Sequence, residues 1–221
     1  KIIRNSYFSK FSTRQGNSTS KTRQSIFILC FNTFKMAKSA VVLSYEDILL
    51  HQSDLDLLDG PYWLNDTIIS FYFEYLKKIA FSHANDLLFV SPEVTQCIKL
   101  VPSEEIKTFL EPHGMHKKKF VFFPLNDNDS PEMAGGTHWS LLVYSKPENS
   151  FLHIDSSQMC NQEIGSDFLA IHMHDLLGTM EFIDKESVQQ SNGYDCGIHV
   201  ICNAEILPIY VPLLGMGLLY S

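Results

Sequence analysis

Apolar positions in the first half of the chain recur at the spacing of helices. Ser44 with Asp47 three residues later is typical of a helix start, and Asn65 or Asp66 can cap a longer helix whose apolar residues indicate heavy burial. Proline is favoured at the first helical position, so a Ser-Pro pair also marks a start. These signals predict three helices: residues 45–51, Thr67 to about Phe81, and the residues from Ser91-Pro92 onward.

The second half of the chain has the apolar runs of strands. One helix, from about Asp167 to Leu177, is predicted before the last strand, and a final helix is predicted to begin at Cys196. The four predicted strands are Lys119–Leu125, His138–Tyr144, Phe151–Asp155 and Glu181–Ile183. Helices followed by a mixed sheet with helices packed on it make an α+β fold.

The two ends differ in composition from the middle of the chain. Residues 1–35 are basic, acid-free and rich in Ser, Thr and Asn. We expect a disordered or non-native extension there, with a mitochondrial presequence as the alternative. Residues 36–205 are expected to form one folded domain. Residues 206–221 are uncharged and apolar but contain Pro208 and Pro212, and we expect an atypical, truncated C-terminal tail.

Charge and cysteine content narrow the class of protein. Residues 1–35 hold seven of the 17 basic residues, which leaves ten basic and 25 acidic residues, a net charge of −15, for residues 36–221. Such a surface repels phosphate backbones, so we expect no nucleic-acid partner. The five cysteines include no Cys-x-x-Cys pair, which favours a reducing compartment, the cytoplasm or the nucleus. No apolar run is long enough to span a membrane.

Four residues of the second half have the chemistry of a cysteine nucleophile and its helpers. Cys196 follows the polar turn of residues 190–195 and opens an apolar helix, where the positive end of the helix dipole favours a thiolate. His138 begins one predicted strand and Asp155 ends the next, so adjacent strands can bring a base and its orienting carboxylate together. Gln190 and the Cys196 N–H are candidate donors to an oxyanion.

Each of these residues also has a less specific interpretation. Cysteine is one of the most buried residue types, and we expect Cys97, Cys160 and Cys202 to be inert packing residues. His138 is equally typical of a structural polar residue, and Asp155 of the start of a turn. The set of four, rather than any one member, therefore carries the hypothesis of a cysteine nucleophile.

The motifs resemble those of the Ulp-type ubiquitin-like-protein proteases, or sentrin-specific proteases, whose active-site residues come in the chain order His, Asp, Gln, Cys. Residues 63–66, 89–96 and 135–144 are similar to the deneddylase branch of that family. The resemblance covers roughly Val41 to Glu205. The positions that match the active-site motifs are His138-Trp139, Asp155, Gln190 and Asp195-Cys196-Gly197.

This resemblance implies a papain-like α+β cysteine protease domain in residues 36–205, with a mixed central sheet. It implies cleavage after the C-terminal Gly-Gly of a ubiquitin-like modifier, for precursor processing and for deconjugation from cullins or other targets. His138, Asp155 and Cys196 would be catalytic, and Gln190 would be the oxyanion donor. The neddylation modifier is the expected partner, and we expect a monomer.

Trp63 and Trp139 would form a narrow tunnel around the two glycines. Only residues without a Cβ pass between two indole faces at contact distance, so such a tunnel selects diglycine. Core packing is the alternative for both tryptophans. Asp66 would face the modifier's tail, where a basic residue complements an acidic domain. For Asp127 and Asp129 we prefer the interpretation of solvated loop charge.

We expect neither a cofactor nor a metal. His113 with His116, and His172 with His174, have no nearby Cys or acid cluster to complete four ligands. Because residues 206–221 depart from the family pattern, a non-catalytic or truncated, inactive module that binds the modifier is the alternative function. A metal-dependent hydrolase is a further alternative, which chelator sensitivity would reveal.

Overall fold

The computed structural model describes residues 40–130, 135–158 and 160–214. The predicted extension at 1–35 lies outside these residues. The strands are β1 (Val41–Tyr45), β2 (Ile48–His51), β3 (Leu87–Phe89), β4 (Phe120–Asn126), β5 (Trp139–Ser145), β6 (Ser150–Ile154) and β7 (Glu181–Lys185). The α-helices are α1 (Gln52–Asp56), α2 (Asp66–Tyr75), α3 (Pro92–Leu100), α4 (Ile106–Leu110), α5 (Gln162–Asp167), α6 (His174–Leu177) and α7 (Cys196–Leu214).

Five strands form a mixed sheet in the order β3-β4-β5-β6-β7. The middle strands β4, β5 and β6 pair antiparallel, whereas β3 and β7 pair parallel to their neighbours at the two edges. The middle strands are buried almost throughout, because helices cover both faces of the sheet. The predicted α+β fold with a mixed central sheet is confirmed.

Two apolar clusters hold the helices to the sheet. On one face, α2 and α7 pack against inward side chains of β4, β5 and β6, such as Phe122 and Val143. On the other face, α3, α4 and the segment after α5 pack against Phe123 and Phe151. Alternation along each strand sends successive side chains to opposite faces, so one sheet serves both clusters. The N-terminus of α7 thereby lies beside the ends of β5 and β6.

The prediction of a helix over residues 45–51 is wrong. Ser44 lies in β1, and β1 pairs antiparallel with β2 through a two-residue turn at Glu46 and Asp47. Glu46 has a left-handed φ of 49°, which a tight hairpin turn needs and a helix does not allow. The helix that follows, α1, begins only at Gln52, where Asp54 Oδ2 accepts the His51 backbone N–H at 2.7 Å.

The other predicted elements agree with the structure, with shifted ends. Asn65 caps α2 by accepting the Ile68 N–H at 3.1 Å, and a π-helical turn at Leu76–Ala80 extends it almost to the predicted end. Ser91 caps α3 before Pro92. The predicted helix at 167–177 is divided into α5, a π-helical turn at Phe168–Met173, and α6. Strand β3 and helix α4 were not predicted.

Helix α7 begins at Cys196, as predicted, and continues to Leu214. It therefore crosses the boundary that we placed at residue 205, and no break separates the described part of the tail from the domain. Pro208 lies within the helix, although proline cannot donate the usual backbone hydrogen bond there. Within the described residues, no helix combines the length and the apolar character that crossing a membrane requires.

Candidate active site

Cys196 is the first residue of α7, and its side chain is 1% exposed. The next residue, Gly197, lets the helix start approach the chain closely: a Cβ at this position would lie 2.9 Å from the Leu64 Cβ. Real Cβ contacts are longer than this, and Leu64 is itself buried in the core. A side chain at residue 197 would therefore push the thiol out of its place.

The turn before Cys196 is held by the side chain of Asn192. Its Oδ1 accepts the backbone N–H groups of Tyr194 and Asp195, both at 3.0 Å, and its Nδ2 donates to Asp195 Oδ2 at 2.8 Å. Asparagine in this role imitates a backbone turn. The indole of Trp63 donates to the Gly193 carbonyl at 2.6 Å and ties the same turn to the segment before α2.

His138 and Asp155 meet at the adjacent ends of β5 and β6. His138 Nε2 donates to Asp155 Oδ1 at 2.6 Å, and both side chains are buried. The backbone N–H groups of Ser157 and Asn161 donate to the same carboxylate at 2.9 and 3.1 Å. Three donors fix the orientation of this carboxylate. Burial by itself raises the pKa of Asp155, but the three hydrogen bonds and the charge of His138 outweigh burial and lower that pKa.

The ring of His138 contacts Asp155 and the Cys196 thiol. Burial by itself lowers the pKa of His138, but hydrogen bonds to Asp155 and Cys196, and the charges of both, outweigh it and raise that pKa from 6.5 to about 10. The imidazole is thus arranged to hold a proton beside the sulfur. This is the geometry in which a cysteine acts as a nucleophile and a histidine as its base.

Asp127 holds the chain that leads into His138. Its carboxylate accepts the backbone N–H groups of Thr137 and His138, at 2.6 and 3.1 Å, and the Thr137 hydroxyl at 2.5 Å. Although partial burial opposes it, these bonds lower the pKa of Asp127. Our interpretation of Asp127 as solvated loop charge is therefore wrong, whereas Asp129 in the same loop is exposed.

Gln190 lies between β7 and α7, six residues before Cys196. Its Oε1 accepts the hydroxyl of buried Ser156 at 2.8 Å, and its Nε2 donates to the Asn192 carbonyl at 2.6 Å. The Asn192 carbonyl can only accept, so this second bond fixes which side of the Gln190 amide is nitrogen. An amide nitrogen carries two hydrogens, so one remains for an oxyanion.

A cleft of about 700 Å³ lies next to these residues, between α2, α3 and the loop after β4. Trp63, Asp66 and Trp139 all line it. Trp63 is 50% exposed, so core packing does not describe it, whereas Trp139 is partly buried against the core and donates to the Leu64 carbonyl at 3.0 Å. Asp66 is exposed at the start of α2. The three residues predicted to bind substrate thus share one cleft.

The chain matches the model of a known protein family over most of the described residues. The profile of the Ulp1 protease family, C-terminal catalytic domain, matches residues 62–216. The chain belongs to the Ulp1 protease family. It is therefore a cysteine peptidase, and the predicted family is confirmed.

Relatives of this Ulp1-family protease are similar to it over about three quarters of this chain. Sentrin-specific protease 8 of Rattus norvegicus is 49% identical over 173 residues, which are 76% of this chain and 79% of the relative. NEDD8-specific protease 1 of Arabidopsis thaliana is 38% identical over 170 residues, 75% of this chain and 74% of the relative. Ubiquitin-like-specific protease 1 of Saccharomyces cerevisiae is 25% identical over 184 residues, 73% of this chain and 26% of the relative.

Solved structures show the same fold. The C-terminal Ulp1 protease domain in complex with Smt3, the yeast ortholog of SUMO, has a TM-score of 0.63 at 18% identity and covers 89% of this chain and 86% of its own. The Xanthomonas campestris effector XopD bound to ubiquitin has a TM-score of 0.54 at 20% identity and covers 77% of this chain and 83% of its own. Members of the family thus bind ubiquitin-like modifiers.

The remaining cysteines of this Ulp1-family protease differ from the expected packing residues. Cys97 and Cys160 are exposed, so our interpretation of them as buried is wrong; Cys97 also lines the cleft. Cys202 is half-buried, and burial raises the pKa of its thiol to about 11. Within the described residues, no group of three or more metal-ligating side chains is present.

Sequence reasoning missed three residues that shape the site: Asp127, Ser156 and Asn192. Asn192 had a local signal, since Asn-Gly pairs mark turns. Asp127 and Ser156 had none, because their partners Thr137 and Gln190 lie 10 and 34 residues away.

Proposed function

We propose that this chain cleaves the bond after the C-terminal Gly-Gly of a ubiquitin-like modifier, and that the neddylation modifier is the preferred one. The observation that carries this proposal is the contact chain from Cys196 through His138 to Asp155, beside a cleft with two tryptophans. The chain is more similar to sentrin-specific protease 8 and to NEDD8-specific protease 1 than to the yeast ubiquitin-like-specific protease 1, and this difference supports the choice of modifier.

In the proposed mechanism, His138 takes the Cys196 proton and the thiolate attacks the carbonyl of the last glycine. The Cys196 backbone N–H and the free hydrogen of Gln190 Nε2 stabilise the oxyanion that forms. His138 then gives its proton to the leaving amine, which is a lysine side chain in a conjugate or a backbone amine in a precursor. Water, which His138 deprotonates, then attacks the thioester, so that the modifier leaves as a carboxylate and the Cys196 thiol is restored. Asp155 orients the ring throughout and does not itself take the proton.

The cleft suits an extended, small and basic-tailed peptide. Trp63 and Trp139 both line the cleft, and the proposed tunnel between them admits only glycine. Asp66 and Glu93 line the same cleft, and their negative charge favours a basic residue upstream of the diglycine. We propose that the protease acts as a monomer.

The test uses modifiers that carry an electrophile at the C-terminus, built on the neddylation modifier, ubiquitin and a small ubiquitin-related modifier. The proposal requires a covalent adduct that the Cys196→Ala variant does not form, at the highest rate with the neddylation probe. Cys202→Ala is the matched control, because Cys202 is a half-buried thiol of the same helix that does not line the cleft, and its loss should leave the adduct unchanged. Binding without an adduct would indicate a non-catalytic module instead.

A further inference from the structure

A second set of polar side chains is buried behind Asp155. His153 on β6 lies with Nδ1 2.7 Å from Asp184 Oδ1 on β7 and Nε2 3.0 Å from Ser140 Oγ on β5. Asn161 Nδ2 donates to the same Ser140 hydroxyl at 3.1 Å, and the Asn161 backbone N–H donates to Asp155 Oδ2 at 3.1 Å. One hydrogen-bonded chain thus leads from Asp184 to the candidate catalytic carboxylate.

The carboxylate at one end fixes the direction of the first hydrogen bond. Asp184 only accepts, so His153 Nδ1 donates to it. The Ser140 hydroxyl lies between His153 Nε2 and the Asn161 amide nitrogen, which donates to it. One hydroxyl thus links His153 on β6 to the residue whose backbone N–H holds Asp155.

A serine, a histidine and an aspartate in this order are also the parts of a serine hydrolase site, but burial excludes that role here. Ser140 is 1% exposed and His153 is 0% exposed, so no substrate carbonyl reaches the hydroxyl. Only Asp184 at the outer end, with a side chain that is 37% exposed, meets solvent. These residues therefore hold other residues of the protein in place and do not act on a ligand.

The His153 ring has no room to turn. The Phe182 ring stacks on it with centroids 5.8 Å apart. Across from this pair, α5 approaches so closely that a Cβ at Gly165 would lie 3.3 Å from His153 Cδ2 and 3.2 Å from Phe182. A ring confined in this way is a rigid anchor for the Ser140 hydroxyl.

We propose that Ser140, His153 and Asn161 are positioning residues that fix the Asp155 carboxylate against His138. The segment after β6 carries the two backbone N–H groups that hold Asp155. The Asn161 side chain ties that segment to Ser140 on β5, two residues beyond His138. The distance between imidazole and carboxylate thus depends on this tie. The inference rests on the proposed catalytic role of Asp155.

The experiment compares two buried serines of the same strand. Ser140→Ala removes the hydroxyl of the network, whereas Ser145→Ala removes a buried hydroxyl that has no hydrogen-bond partner within the described residues. With a fluorogenic amide of the neddylation modifier, kcat of Ser140→Ala should be about tenfold or more lower at unchanged KM, since small misplacements of catalytic groups cost up to ~10² in rate. Ser145→Ala should match the wild type. Equal kcat in the two variants would overturn the proposal.

A second measurement needs no modifier and separates this inference from the proposed function. Alkylation of Cys196 by iodoacetamide is followed in weakly acidic and weakly alkaline buffer. In Ser140→Ala, a loosened Asp155 supports the protonated His138 less well, so the acid rate should fall relative to the alkaline rate, and Ser145→Ala should keep the wild-type ratio. If the wild type cleaves no modifier yet this difference appears, the positioning role stands and the proposed substrate is wrong.

If Ser140→Ala melts at a much lower temperature than the wild type, variants of Asp184, at the solvent-exposed end of the hydrogen-bonded residues, test the positioning role instead. Asp184→Ala leaves the His153 Nδ1 donor without its acceptor, whereas Asp184→Asn keeps an oxygen there. The expected order of kcat is wild type, then Asp184→Asn, then Asp184→Ala. Wild-type kcat and alkylation ratio in Asp184→Ala would contradict the proposal, because the outer anchor would then have no effect on the site.

Discussion

His138 Nε2 and Asp155 Oδ1 lie 2.6 Å apart, in side chains that are only 9% and 4% exposed. Seventeen residues separate them along the chain, and the antiparallel pairing of β5 with β6 brings them together. Asp155 keeps its charge because three hydrogen-bond donors surround it. This pair determines how His138 faces the Cys196 thiol, and the first prediction concerns it.

Asp155→Asn should lower kcat by about 10² to 10⁴, because the ring loses the partner that sets its orientation and tautomer. Binding of the modifier should change little, since Asp155 does not line the cleft. The variant also removes the carboxylate whose hydrogen bond and charge raise the pKa of His138 to about 10, so the ring should lose its proton at a lower pH. Nuclear magnetic resonance titration of His138 checks this directly, and an unchanged titration would remove Asp155 from the pair.

The free energy of unfolding should fall as pH rises above neutral, because folding raises the pKa of His138. A group whose pKa is raised by folding stabilises the folded state fully below its unfolded pKa, and this contribution disappears as pH rises through the folded value. For His138 that interval runs from 6.5 to about 10. Thermal melts of wild type and Asp155→Asn should therefore converge as pH rises across it, and a constant difference would contradict the pKa argument.

Asp127→Ala should lower kcat at nearly unchanged KM, because the N–H groups of Thr137 and His138 lose the acceptor that places the start of β5. Asp129→Ala is the matched control, since it removes the same charge from an exposed position of the same loop. Steady-state kinetics of the two variants check this. If both lose activity equally, loop charge rather than the contact with His138 is responsible.

Gly197→Ala should lower kcat strongly, because the added Cβ meets the Leu64 Cβ at 2.9 Å and Leu64 is packed in the core. The thiol then moves relative to His138, and misplacement of about 1 Å costs up to ~10² in rate. Ser191→Ala, an exposed position in the turn before Cys196, serves as the control. Full activity of Gly197→Ala would show that α7 can shift without affecting the site.

The two tryptophans of the cleft should make the protease selective for diglycine. A substrate with Ala as the last modifier residue should be cleaved poorly by the wild type, because its Cβ does not pass between the indoles. Trp63→Ala should reduce the discrimination between the Gly and Ala substrates, measured as the ratio of their kcat/KM values. Efficient cleavage of the Ala substrate by the wild type would reject the tunnel.

Local signals in the sequence determined the elements that present the site. The caps at Asn65 and Ser91 act on N–H groups three residues away, so their partners are readable from spacing alone. The start of α7 at Cys196 follows in the same way from a polar turn before an apolar run. The three middle strands were readable because burial on both faces demands continuous apolar residues.

Local sequence patterns gave a wrong prediction where a helix and a hairpin share the same pattern. Ser44 and Asp47 satisfy the pattern of a helix start, but pairing of β1 with β2 formed a hairpin instead. The exposure of Cys97 and Cys160 was likewise not readable, because an average preference for burial does not say which face of a helix or loop meets solvent.

The sequence by itself thus determined the family, the candidate nucleophile at a helix start and the order of the candidate catalytic residues. Only the tertiary structure decided how they are held: Asp127 beneath His138, Ser156 against Gln190, and Ser140 with Asn161 behind Asp155. The reason is physical. Hydrogen bonds within a helical turn are set by neighbours in sequence, whereas these contacts join residues 11, 34 and 21 positions apart, and they exist only once the register of the central sheet has formed.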